Sequence, residues 1–222
     1  MKFISLLLAT LLLAGCSGSQ TGSPSASSTP SAASSSVPSE AGQTQTDSAA
    51  ESNTKATAWA LGQQVSLASL GRSRGATDAA DRIFKKAEAS AQQLGLGELP
   101  KLPEATGDPA QDGAAALEYL LSTGGGQIVG SLTEKHNQQT ADLFEMSAKA
   151  NIAFMLYSTN TEDPMNRAMT GRLSELGESS QLPQELWKPV VEKMASGAPQ
   201  KEVQQMLQEM GSKVHEHLVN NG

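Results

Sequence analysis

From about Lys55 onward, apolar residues recur every three or four positions, the spacing that lines one face of a helix. Ala58, Leu61, Val65 and Ala68, flanked by Leu67 and Leu70, form a first face, which Gly71 to Gly75 end. Thr77 or Asp78 can cap a second helix carrying Ile83, Phe84, Ala87, Ala91 and Leu94, and Gly95 and Gly97 stop it. Asp108-Pro109 is a cap followed by proline at the first helical position. It opens a short helix with Ala110, Ala114, Leu117 and Leu121 on one side, and Gly124-Gly125-Gly126 is expected to break the pattern as an inter-helix hinge. From Gln127 to about Ser158 no proline interrupts. The ends of this stretch are apolar (Ile128, Val129, Leu132; then Leu143, Met146, Ala150, Phe154, Tyr157) and its middle, His136 to Gln139, is polar. It is either one long helix or two with a joint near Asn137. Asp163-Pro164 repeats the cap-plus-proline device and starts a helix with Met165, Met169, Leu173 and Leu176, ending at Gly177. Leu182 to Ser196 is a further helix, expected to kink at Pro189 because an interior proline removes a backbone hydrogen bond. The last begins at Pro199, with Val203, Met206, Met210, Val214 and His217 or Leu218 on one stripe. No alternating, strand-like run competes, so the fold class is all-α: a helical bundle over residues 55–222.

The pattern also resembles itself. With Gly62 set over Ser147, Asp78 falls on Asp163, Arg82 on Arg167, Phe84 on Met169 and Ala91 on Leu176. Small gaps then bring Leu99-Pro100 to Leu182-Pro183 and Pro109 to Pro199. Helical sequences resemble one another cheaply, so two readings stand. The head is either a single bundle or two similar units, about 56–137 and 138–222, that arose by internal duplication, the second having gained the helix of Trp187.

Before residue 55 the periodicity disappears. From Ser17 to about Thr54 the chain is mostly Ser, Thr, Ala, Gly, Pro and Gln, with Val37 its one clearly apolar residue larger than alanine. Such a segment cannot bury enough surface to offset its ordering entropy, and residues 16–54 are expected to form a disordered tether. As a flexible coil it would span roughly 35 Å root-mean-square. The first fifteen residues differ again. Lys2 is a positive n-region, Phe3 to Leu13 are apolar except for Ser5 and Thr10, and small residues follow, the grammar of a secretory signal. The run is too short for a transmembrane helix, which needs about 20 residues.

Leu13, Ala14, Gly15 and Cys16 resemble the lipobox of bacterial lipoproteins processed by the lipoprotein signal peptidase. That resemblance implies removal of residues 1–15, a diacylglyceryl group on the Cys16 thiol and usually an acyl chain such as palmitate on the new amino terminus. Each buried methylene contributes about 0.8 kcal/mol and stable anchoring takes about two chains. Membrane lipid, reached through acylated Cys16, is therefore the first expected partner. In proteobacterial lipoproteins an Asp directly after the cysteine tends to mean inner-membrane retention. Ser17 stands here, which favours the outer membrane in an organism that has one.

Composition narrows the rest. The 222 residues carry a net charge of -7, and 4% are aromatic. Without signal and tether, roughly 165 residues remain, enough for one modest core. Cys16 is the only cysteine, which excludes an intrachain disulfide and a cysteine-ligated zinc or iron-sulfur site. The acidic balance argues against nucleic acid and against electrostatic docking on anionic lipid, both of which need clustered Lys and Arg.

Reactive groups are few. His215 and His217 are two apart and point about 200° from each other on a helix, so they cannot share a metal. There is no His-Glu-x-x-His pattern and no Glu-x-x-His of the di-iron bundles. His136 reads as a solvated or capping histidine, with no nucleophile-elbow pattern beside it. Gly124-Gly125-Gly126 is followed by no Gly-Lys-Ser/Thr, which excludes a P-loop. Met165/Met169 and Met206/Met210 lie at i, i+4, and thioether pairs suit Cu(I). Both pairs nevertheless sit on apolar stripes, where methionine fills core gaps. Trp59 and Trp187 read as core anchors. No catalytic residue, cofactor or metal is expected. The leading expectation is a non-enzymatic envelope lipoprotein whose head binds another protein or supports an envelope assembly. Against it stand a binding module for an apolar small molecule or lipid, with a pocket lined by the methionines and Phe154, and an envelope hydrolase with His136 in a cleft beside an acid and a hydroxyl.

Overall fold

The computed structural model describes residues 43–221, with side chains from residue 50 onward. The signal segment, Leu13-Ala14-Gly15-Cys16 and the tether up to residue 42 lie outside the described residues. Within them the chain is all-α: α1 (Gln43–Arg72), α2 (Thr77–Gln93), α3 (Pro109–Leu121), α4 (Thr123–Lys135), α5 (Gln138–Leu156), α6 (Pro164–Ser179), α7 (Gln184–Ala195) and α8 (Gln200–Asn220).

Small residues bring α1 and α5 together at the centre. Gly62 of α1 lies so close to α5 that an added methyl group would overlap the Phe144 carbonyl oxygen and stand 3.0 Å from the Ser147 Cβ. One turn further on, Asn151 donates to Ser66 Oγ at 2.8 Å, and Arg74, just past α1, reaches Met155. The contacts advance together along both helices, so α1 and α5 run in the same direction. Around them the longest apolar side chains disappear from solvent: Trp59, Leu61, Val65, Leu143, Phe144, Met146 and Ile152 are all fully buried. Each such side chain stabilises the fold by about 1.5–3 kcal/mol.

The other helices close over this pair. α8 runs antiparallel to α1, with Ser52 donating to the Leu218 carbonyl near one end and Gly211 close to the Gln63 amide further along. It also packs on α5 and α7. On the opposite flank Ser69 of α1 lies 3.5 Å from the Ala116 carbonyl of α3, and Ser90 of α2 donates to Gln64 at 2.9 Å. α6 packs between α5 and α7, and α4 between α3 and α5.

The shift that sets Gly62 on Ser147 also sets Ser66 on Asn151, and both pairs are in contact. These two pairs are equivalent only under the duplication reading, one of the two that the sequence leaves open. Past the first helix of each half the ungapped register slips. The buried residues of α2 (Ala80, Ile83, Ala87, Ser90, Ala91) superimpose on those of α6 (Asn166, Met169, Leu173, Leu176, Gly177) only when it is advanced by one position.

Helix ends follow the local chemistry, with instructive departures. Asp108 accepts from Ala110 and Gln111 N–H, and Asp163 from Met165 and Asn166 N–H, each ahead of its proline. Asn137 caps α5 through Thr140 N–H and divides the stretch 127–158 into two helices. Gly95, at φ 64°, ends α2, with Leu96 N–H returning to the Ala91 carbonyl. This left-handed position suits glycine. Neither Thr77 nor Asp78 caps α2, whose N-cap is Ala76 without a side-chain bond. Gly124-Gly125-Gly126 is not a break: α3 and α4 meet at Ser122 and the glycines form the first turn of α4. There Gly124 lies against the Tyr119 ring and Gly125 against the Leu120 carbonyl, where a side chain would have no room. Gly177 does not end α6 either. The helix continues to Ser179, and Gly177 provides the flat surface on which the Trp187 ring rests. α7 carries Pro189 in its interior.

One boundary and two faces are also corrected. The helical head begins before Lys55, since α1 already includes Gln43 and Ser52 is buried. In α3 the buried side is Asp112, Ala116, Tyr119 and Leu120, while Ala110 and Ala114 are exposed and Leu121 is 38% exposed. On α8 Leu207 replaces the half-buried Met206 in the stripe with Val203, Met210, Val214 and Leu218.

Candidate functional site

The sequence candidates do not converge. Cys16 lies outside the described residues. His136 is exposed at the C-cap of α4, and its Nε2 is 2.8 Å from the Leu94 carbonyl. A carbonyl can only accept, so Nε2 carries the proton and the ring is committed to tying α4 to the end of α2. The methionine pairs divide: Met169 and Met210 are buried, Met206 is half-buried and Met165 is 37% exposed. Trp59 and Trp187 are buried as expected, Trp187 with its Nε1 donating to the Leu182 carbonyl at 3.3 Å. Phe154 is half-buried, and its carbonyl accepts from Gln204 at 2.9 Å. Among the described residues, no three His, Cys, Asp or Glu side chains are grouped as a metal site.

Polar clusters that periodicity does not reveal hold the helices instead. Glu145 of α5 receives a two-pronged contact from Arg172 of α6, Nε at 3.0 Å and Nη2 at 2.8 Å, with Lys149 at 3.4 Å. Burial pushes the Glu145 carboxyl up, but the Arg172 fork and Lys149 outweigh it and hold it below the usual carboxylate range. The hydrogen bond to Glu145 in turn raises the Arg172 guanidinium. A carboxylate locked ionised in this way is unsuited to donating a proton near neutral pH, and its role is to clamp α5 to α6.

The connection from Leu94 to Asp108 is a second clamp. Leu96, Leu99 and Leu102 point into the core, and polar ties hold the backbone between them. Tyr119 donates to the Pro100 carbonyl at 2.7 Å, and burial raises its hydroxyl to about 12. Arg72 binds Asp81 at 2.6 Å and reaches the Pro103 carbonyl. Asp112 accepts from Thr106 N–H and Oγ1, each at 2.7 Å, and from Gly107 N–H at 3.1 Å. The cavity between Arg72, Pro103 and Asp112 measures about 10 Å3. That is room for one water, against the roughly 300–1,000 Å3 of a small-molecule site.

The bond from Thr106 N–H, then that from its hydroxyl, holds the Asp112 carboxyl below its ordinary value, with burial opposing and Gly107 assisting. A depressed folded-state pKa stabilises above the unfolded value, about 3.9, and that contribution is lost as pH falls through the folded value. The Thr106 and Gly107 amides are therefore expected to stay protected from hydrogen exchange between neutrality and about pH 4, then to lose protection on further acidification. Asp112→Ala should expose both amides already at neutral pH. Fast exchange of these amides in the wild type at neutral pH would show that the anchor does not exist.

Compared with known protein families, curated proteins and solved structures, the chain shows no match. Its function is argued from its own residues.

Proposed function

We propose that the protein is a lipid-anchored envelope lipoprotein whose helical head is a non-enzymatic module that binds another protein or supports an envelope assembly. The observation that carries this reading is Leu13-Ala14-Gly15-Cys16 at the end of a short apolar run, followed by a long polar segment before the first helix. Acylation of Cys16 would hold the chain on a membrane, and Ser17 favours the outer one. The polar segment would let the head reach partners away from the lipid surface. What supports presentation rather than turnover is that His136, Glu145, Arg172 and Asp112 are engaged in holding helices and the 94–108 connection in place.

Cys16→Ala removes the only acyl acceptor the lipobox provides. Labelled fatty acid supplied to cells is expected to enter the wild-type protein and not the variant, and the variant should leave the membrane fraction. A labelled Cys16→Ala protein that stays with the membrane contradicts the anchor.

A further inference from the structure

The end of α1, the 94–108 connection and α3 meet around one small cavity whose lining carries both signs of charge. Ser69 and Arg72 come from α1, Pro103 and Glu104 from the connection, and Asp112 and Ala116 from α3. Its volume is about 10 Å3, at the lower limit of the space that holds a single water.

The polar groups around it are not fully used by one another. Ser69 Oγ stands 3.5 Å from the Ala116 carbonyl, and Arg72 Nη1 stands 3.5 Å from the Pro103 carbonyl. Well-formed hydrogen bonds of these types run about 2.5–3.2 Å. Both contacts are therefore stretched, and each joins two residues of the cavity wall. Arg72 Nη2 is well engaged by Asp81 at 2.6 Å, but its buried Nε has no hydrogen-bond partner among the described residues. A polar contact at this separation is the usual signature of a bridging water, which needs two to four polar partners. A guanidinium, a hydroxyl, two carbonyls and a carboxylate supply them.

We infer that this cavity is a binding site for one water molecule, which relays Arg72 of α1 to Asp112 of α3. The water accepts from Arg72 or Ser69 and donates to the Asp112 carboxylate or a carbonyl, two roles that no simple ion combines. A cation would stand against the guanidinium, and an anion against the carboxylates. With the water in place the connection is pinned from both sides. Asp112 holds Thr106 and Gly107 directly, and the water joins that carboxylate to the end of α1, whose Arg72 already holds Asp81 of α2. A bridging water is nearly as favourable in enthalpy as a direct hydrogen bond, so it fastens α1 to α3 where the direct contacts are stretched. The inference is independent of the membrane anchor.

Relaxation dispersion of the oxygen-17 signal of water, measured on the full-length protein, counts the waters held long enough to tumble with it. The wild type is expected to hold one more such water than Ala116→Val, whose added methyl groups enter the cavity, with the helical circular dichroism unchanged. Should valine disturb folding, Ala116→Ser places a hydroxyl in the same space and is expected to cause the same loss of one water. The wild-type count should be the same in chloride and sulfate, and in sodium and potassium salts. Equal counts in the wild type and the folded variant overturn the inference, and so does a wild-type count that follows the salt, which would make the occupant an ion.

Discussion

Gly62→Leu is expected to unfold the head, because a side chain at this position must enter the space now occupied by the backbone of α5. Even a methyl group there would overlap the Phe144 carbonyl oxygen and stand 3.0 Å from the Ser147 Cβ. That carbonyl belongs to the helix and cannot swing aside as the tip of a flexible side chain could. In an open helix, Gly→Ala gains about 1 kcal/mol. At Gly62 the sign should reverse, at about 1–3 kcal/mol of overpacking for alanine. For leucine the cost approaches the roughly 5–15 kcal/mol that holds a domain of this kind together. Gly171 of α6 is the control, since nothing lies within 4 Å of an added methyl. Gly171→Ala should raise the melting temperature by about 2–4 °C. A Gly62→Leu protein that melts with the wild type would show that α1 and α5 do not cross at this residue.

The second large effect is expected on α8. Met210 is 2% exposed within the stripe of Val203, Leu207, Val214 and Leu218. Met210→Asp buries a carboxylate without a partner, at a cost of several kcal/mol, and should unfold or severely destabilise the head in thermal melts. Met210→Leu keeps volume and apolarity and should cost less than about 1.5 kcal/mol. The pair also decides the copper alternative raised by the methionine spacing, because leucine cannot replace a thioether ligand. If Met210→Leu folds normally but abolishes a Cu(I) titration that the wild type shows, the packing role of this methionine fails and a metal role takes its place.

Where the sequence carries a helix stop or start in backbone chemistry, the fold was legible. Asp108-Pro109 and Asp163-Pro164 cap as their residue types require, and the polar step at Asn137 is the joint between α4 and α5. Glycines misled where they serve close approach rather than chain reversal. Gly124 and Gly177 read as stops, but each makes room for an aromatic ring from a neighbouring segment, Tyr119 and Trp187, and no local pattern announces that ring. The face of α3 was misread for a related reason. Asp112 looks like a solvent-facing residue, yet the Thr106-Gly107 turn brings it three hydrogen bonds and draws that side of the helix inward. Ser52 was assigned to the tether on composition, but it is buried within α1 and bonded to the Leu218 carbonyl, a partner far away in sequence. The Glu145–Arg172 fork likewise joins two helices, so neither residue stands out in either helix alone.

The mass of the intact protein extracted from cell membranes tests the central claim most directly. A chain that begins at Cys16 and carries a diacylglyceryl group, with an added acyl chain on its amino terminus where the organism supplies one, is the expected result. A full-length chain that retains residues 1–15, or a cleaved chain with an unmodified cysteine, would contradict it.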